Sequence, residues 1–144
     1  VDPDVIQPYR NVMDDTYAST GLKDYVEVNN LGICFFSPIK HGLLTGKYAK
    51  PTTFETGDFR TTVKAFADQK LIDKIKINKV KLEERFSEHP QPVMHGLVDA
   101  LLSDAPTGCV LLGQRNVAQV EAAAQLGDAL SNEEADWVKE LYKA

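Results

Sequence analysis

Gly32-Ile33-Cys34-Phe35-Phe36 is a five-residue run with no charged side chain, and it opens into Ser37-Pro38-Ile39 and Gly42-Leu43-Leu44-Thr45-Gly46-Lys47-Tyr48. A continuous apolar run bounded by turn formers is the pattern of a strand buried on both faces. Such a strand needs covering layers, so the chain must supply helices as well as a sheet. A buried strand that empties into a Gly-rich loop is also where α/β proteins place ligands, because the rigid strand end aims the loop's groups.

The rest of the chain supplies the helices. Asp4-Val5-Ile6-Gln7 is a short strand closed by Pro8, Asp14 to Gly21 is polar and irregular, and Leu22 to Asn29 is a short helix that turns Leu22, Tyr25, Val26 and Val28 to the core. The stretch from Ser37 to about Ala67 has no apolar period, and structureless loops of that length are usually functional or mobile. Asp68 caps a long helix whose apolar set is Leu71, Ile72, Ile75, Val80, Leu82 and Phe86. His89-Pro90-Gln91-Pro92 breaks it, and a second helix runs from Pro92 to about Ser103. Gly108 to Gly113 is a third strand. Asn116 with Gln119, and Ser131 with Glu134, have capping-box spacing and open two further helices, the first running to about Gly127. Strands that alternate with helices imply βαβ units and a parallel sheet, here in one domain over residues 1–144. Three strands are evident, whereas a closed (β/α)₈ barrel takes eight strands and about 250 residues.

Composition narrows the function classes. Acidic residues outnumber basic ones, 21 to 16, which argues against a nucleic-acid surface. No apolar run approaches the ~20 residues of a membrane span. Cys34 and Cys109 both fall in predicted strands and read as core thiols of a reducing compartment. Val1 opens the chain without a signal-peptide pattern, which points to the cytoplasm, and the missing initiator Met suggests a trimmed piece.

The turn Leu112-Gly113-Gln114-Arg115-Asn116 joins a strand to a helix start, where unpaired N–H groups attract phosphate; Gly113 lets an anion approach the backbone, and Arg115 offers a planar fork of donors. An ordinary strand-to-helix turn with a solvated arginine is the alternative. His89 and His95 lack metal-ligand spacing with a Cys or carboxylate partner, and the His95–Asp99 pair reads as packing rather than catalysis. No site of another chemistry, such as G-x-S-x-G or a Cys–His set, is present.

The wording of these segments resembles the carboxy-terminal portion of the aldo-keto reductases. Residues 32–48 are similar to that family's seventh strand and loop, Val110 to Glu121 to its eighth strand and turn, and Gln7-Pro8-Tyr9-Arg10-Asn11 to the end of its sixth strand. The resemblance implies an α/β fold that is part of a (β/α)₈ TIM barrel, roughly its last three βα units plus a C-terminal helix. It implies NADP(H) as cofactor, with Gln7 pairing the carboxamide and Phe36 stacking on the nicotinamide. Ser37 and Ile39 would then meet the pyrophosphate, Gly42 and Leu44 line the loop folding over it, and Gly113, Gln114, Arg115, Asn116 and Gln119 hold the adenosine phosphate. Ala122 and Ala123 stand where the family carries its adenine-contacting pair, which implies a weaker hold on that base. Arg60, in Gly57-Asp58-Phe59-Arg60, matches a D-x-R of the family's long loop, with a solvated loop arginine as the alternative.

The family's catalytic Asp, Tyr, Lys and His lie upstream of the matched region, so none is carried onto this chain. The expectations are therefore a cofactor-binding piece of an NADPH-dependent reductase of small carbonyl substrates, inactive alone, or a non-catalytic nucleotide-binding or assembly module. Its open sheet edges lead to the expectation of a homo-oligomer, or of pairing with a separate amino-terminal chain.

Overall fold

The computed structural model describes residues 2–143. Three short strands, β1 (Val5–Ile6), β2 (Gly32–Phe35) and β3 (Gly108–Val110), form one sheet in the order β1-β2-β3. Both pairings are parallel, with Ile6 opposite Ile33, Cys34 opposite Cys109 and Phe35 opposite Val110. The register needs a glycine at its third strand. A Cβ on Gly108 would lie 2.9 Å from the Ala105 carbonyl oxygen and 3.1 Å from Ile33 Cγ2.

Between and after the strands run α1 (Thr16–Ser19), α2 (Leu22–Val28), α3 (Gln69–Arg85), α4 (Pro92–Val98), α5 (Val117–Ala123) and α6 (Asn132–Tyr142). The sequence-predicted caps form. Asp68 accepts from Leu71 N at 3.1 Å, Asn116 from Gln119 N at 3.0 Å and Ser131 from Glu134 N at 3.3 Å. Each satisfies a donor that helix geometry leaves unpaired. Ile72, Ile75 and Leu82 of α3, Leu97 of α4 and Val138 of α6 pack with Ile33 and Phe35 of β2 in one core.

Alternation along β2 sends Ile33 and Phe35 into that core and Cys34 and Phe36 to the opposite face, which is open. Cys34 is half-buried and Cys109 exposed, so they are not the core thiols the strand pattern implied. An apolar run shows that a strand can be covered on both faces; it does not show that both covers are present. Val80 is also misplaced by composition. It is 50% exposed, because the buried stripe of α3 runs through Ile72, Ile75, Asn78 and Leu82. Asn78 holds its core position by donating to the Leu141 carbonyl at 2.8 Å. On α2 only Val26 is buried, and Tyr25 and Val28 face out.

Segments read as irregular are ordered locally. Residues 14–21 contain α1, capped by Asp15, which buries Tyr17. The long loop folds into 3₁₀ turns at Lys40–Thr45, Phe59–Thr62 and Lys64–Ala67, and Tyr48, Phe54 and Phe66 pack edge-to-face on one another. The second long helix leaves α geometry at Val98 and continues as a 3₁₀ turn to Leu101, while α5 stops at Ala123 rather than near Gly127.

Arg10 ties these layers together. Its guanidinium is fully buried and uses all five N–H donors: two on Asp15 at 2.7 and 2.8 Å, two on Asp104 at 2.9 and 3.0 Å, and one on the Leu101 carbonyl at 3.0 Å. It also lies over the rings of Tyr17 and Phe35, 4.7 Å from each centroid. Lys139 of α6 approaches the same two carboxylates at 3.3 and 3.8 Å.

Candidate functional site

Beyond β2 the backbone turns hard. Ser37 (φ 60°), Lys40 (φ 46°), His41 (φ 56°) and Gly42 (φ 87°) are all left-handed, and three of the four carry side chains that disfavour this conformation by roughly 1 kcal/mol or more each. The loop holds the strain because it is anchored beneath. Leu43 and Leu44 are buried in the core, and Gly42 N and Leu44 N both donate to the Ile39 carbonyl. At Gly42 the left-handed φ itself favours glycine, while a Cβ there would only press the movable end of Lys47, 3.2 Å away.

The loop forms one wall of a cleft of about 550 Å³, and the β3–α5 turn forms the other. Phe36, Ser37, Ile39 and Gly42 come together here with Gly113, Gln114, Arg115 and Gln119. Gln7, Leu44 and Asn116 are not brought to the cleft. Gln7 is exposed at the end of β1, Leu44 is a core residue, and the Asn116 side chain is occupied as the cap of α5. Gln119 is partly engaged too: its Oε1 accepts from Arg115 N at 2.6 Å, which fixes the turn. Ala122 and Ala123 lie on α5 without polar side chains.

Two groups in the cleft lack partners. Ser37 Oγ is buried with no hydrogen bond, and the Arg115 guanidinium makes no ion pair among the described residues. Buried polar atoms are normally satisfied, which makes this hydroxyl at the cleft wall an exception.

Asp58, Phe59 and Arg60 of the long loop also line the cleft, as do Lys47 and His41. Hydrogen bonds from the Arg60 side chain, then from its N–H, hold the Asp58 carboxyl down to about 2. Arg60 lies 4.1 Å over the Phe54 ring and donates to Tyr48 Oη at 3.3 Å, so this loop arginine is fixed rather than solvated. Burial, with Lys40 and Arg60 nearby, pushes the His41 imidazole below its ordinary value, and its ring packs against Phe59. In the sequence, only the D-x-R spelling signals this wall.

Behind Phe36, Tyr9 meets its ring edge-on and donates to Asp14 Oδ2 at 3.0 Å, and Lys40 Nζ donates to the same oxygen at 2.5 Å. Burial pushes the Asp14 carboxyl up, but Lys40's hydrogen bond and charge outweigh it and leave it below the usual range. The trio pins the base of the strained loop.

On the far side of the core, the ligand atoms of His89, His95 and Asp99 lie within 4.8 Å of one another, a proximity that their sequence spacing did not show. Their geometry is that of packing. The two rings are parallel and 4.0 Å apart, so their in-plane lone pairs do not converge on one point. Both His89 nitrogens are engaged, with Gln91 N and the Gln125 carbonyl, and His95 Nδ1 lies 2.6 Å from buried Asp99. Burial raises the Asp99 carboxyl above its ordinary value, partly opposed by His95.

The aldo/keto reductase family model matches residues 1–143. The chain belongs to the aldo/keto reductase family. An L-glyceraldehyde 3-phosphate reductase of Escherichia coli K12 is 28% identical over 128 residues, which are 88% of this chain and 36% of that one; the O157:H7 protein gives the same figures. A solved glycerol dehydrogenase from Gluconobacter oxydans superposes with a TM-score of 0.78 at 27% identity, over 95% of this chain and 41% of its own. This aldo/keto reductase chain thus spans less than half the length of those relatives, with the α/β fold and parallel sheet similar to a barrel of that family. Among the described residues, no helix is long and apolar enough to cross a membrane.

Proposed function

We propose that this chain is the NADP(H)-cradling part of a carbonyl reductase: the last three βα units of a (β/α)₈ barrel with its C-terminal helix, forming one domain over residues 1–144. The observation that carries this is the meeting of Phe36, Ser37 and Gly42 with Arg115 around one cleft in which, among the described residues, Ser37 Oγ has no hydrogen bond and the Arg115 guanidinium no ion pair. Arg115 would take a phosphate by its planar fork, Ser37 Oγ and the strained loop would meet the pyrophosphate, and Phe36 would give the nicotinamide a flat face. Gln119 keeps its amide N–H groups for the ligand, while Asn116 acts through the turn it caps. When bound, the dinucleotide supplies a hydride.

A carbonyl that accepts a hydride must also gain a proton, which calls for an acid with a tuned pKa beside it. The family's Asp, Tyr, Lys and His are not matched here, so on this reading the acid lies outside the chain. The relatives' names suggest a small hydroxylated carbonyl compound as the substrate class. Exposed Val5 at the sheet edge, and Val117 and Val120 on α5, support assembly with a second copy or a separate amino-terminal chain. The alternative, a non-catalytic nucleotide-binding module, describes the same chain acting alone.

A calorimetric titration with NADPH, followed by an NADPH-oxidation assay with a reactive aldehyde, tests this. Saturable binding without oxidation above background is expected. Absence of binding at millimolar NADPH would overturn the cofactor site, and turnover would overturn the missing acid.

A further inference from the structure

Cys34 and Cys109 are directly paired across β2 and β3, on the open face of the sheet, with their sulfurs 3.1 Å apart and neither in a disulfide. Paired residues on neighbouring strands lie about 4.8 Å apart, inside the roughly 4.4–6.8 Å Cα separation that a disulfide accepts. Because the register is fixed by Gly108 against Ile33, the two thiols are held face to face rather than meeting by chance. Each lies two residues before a cleft-lining residue just past its strand, Phe36 after β2 and Leu111 after β3. We propose that Cys34 and Cys109 form a reversible dithiol–disulfide pair beneath the cleft, closed by a low-molecular-weight disulfide as oxidant.

The chemistry balances as two exchanges. The Cys109 thiolate, on the exposed side, attacks one sulfur of the small disulfide, forming a mixed disulfide and releasing one small thiolate. Cys34 then gives up its proton and attacks Cys109 Sγ, releasing the second small thiolate. Two protein thiols lose two electrons and two protons, and the small disulfide is reduced to two thiols. The order follows from access: Cys109 is exposed and meets the small disulfide first, while Cys34 is half-buried, and burial, then the hydrogen bond and charge of Cys109, raise its thiol. Closure does not depend on whether the cleft takes a nucleotide.

The folded chain, incubated with glutathione disulfide and read by intact mass without reductant, tests the pair. The expected product is the monomer mass less two hydrogens, with no adduct, restored by dithiothreitol, and a tryptic map joining the Cys34 and Cys109 peptides. Cys34→Ser should hold a stable glutathione adduct on Cys109, because the resolving thiol is gone. A wild-type chain that keeps a glutathione adduct, forms only intermolecular dimers, or stays reduced under conditions that glutathionylate the C34S variant would overturn the proposal.

Discussion

Arg10 and Arg115 divide the molecule into two polar regions built on opposite principles. Arg10 is wholly buried and has every donor matched within the chain, by Asp15, Asp104 and the Leu101 carbonyl. Arg115 sits on an exposed turn with no ion pair among the described residues, across a cleft from a buried serine hydroxyl that has no partner. In the first region the polar groups complete one another and fix α1, the β2 layer and the 3₁₀ turn after α4. In the second they are left incomplete, and the backbone on the Ser37 side is strained. Local satisfaction thus separates a polar cluster that holds the fold from one that, on the proposed reading, awaits a ligand.

Arg10→Met should break the first region with the largest effect. Removing one partner of a buried ion pair strands the others, and a loss of about 3 kcal/mol in urea denaturation is expected, the low end for such pairs because both carboxylates keep some contact with water. NADPH affinity per folded molecule should stay unchanged.

Acid titration sharpens the same contrast. Burial pushes Asp15 and Asp104 up, but the Arg10 hydrogen bonds and charge outweigh it and leave both below the usual carboxylate range. The unfolded chain therefore takes up these protons first, near a pH of about 3.9, so the stability they contribute is present above that pH and lost as pH falls through the folded values. The urea midpoint should drop below about pH 4 in the wild type and drop less in Arg10→Met. Asp99, raised by burial, works in the opposite sense and is shared by both proteins, so their difference isolates the Arg10 pair.

Ser37→Ala should have the smallest effect and the opposite character. No hydrogen bond is lost in the free protein, so stability should stay within about 0.5 kcal/mol, while NADPH affinity falls roughly 2- to 10-fold.

The two regions were unequally legible in the sequence. Phe36, Ser37, Gly42, Gly113 and Arg115, which meet at one cleft, stand out in the sequence because they fall in short contiguous wording at strand ends. Arg10 carries no such signal, because its partner Asp104 lies 94 residues away and only the tertiary fold joins them. Leu44 was assigned to the cleft because a loop spelling does not show which leucine turns inward. The cysteines were read as core because a strand pattern does not report an open face. The helices were read from capping residues and period, and Val80 was misplaced where hydrophobicity was counted without its angle on α3.

Calorimetry of NADPH against NADH, on the wild type and on Arg115→Ala, tests the claim that the unpaired arginine waits for a phosphate. The wild type should bind NADPH more tightly, and the substitution should weaken NADPH by about 10- to 100-fold, the worth of a charge-assisted contact, while leaving NADH and the urea midpoint unchanged. Equal affinity for the two dinucleotides in the wild type, or an equal loss for both in the variant, would contradict it.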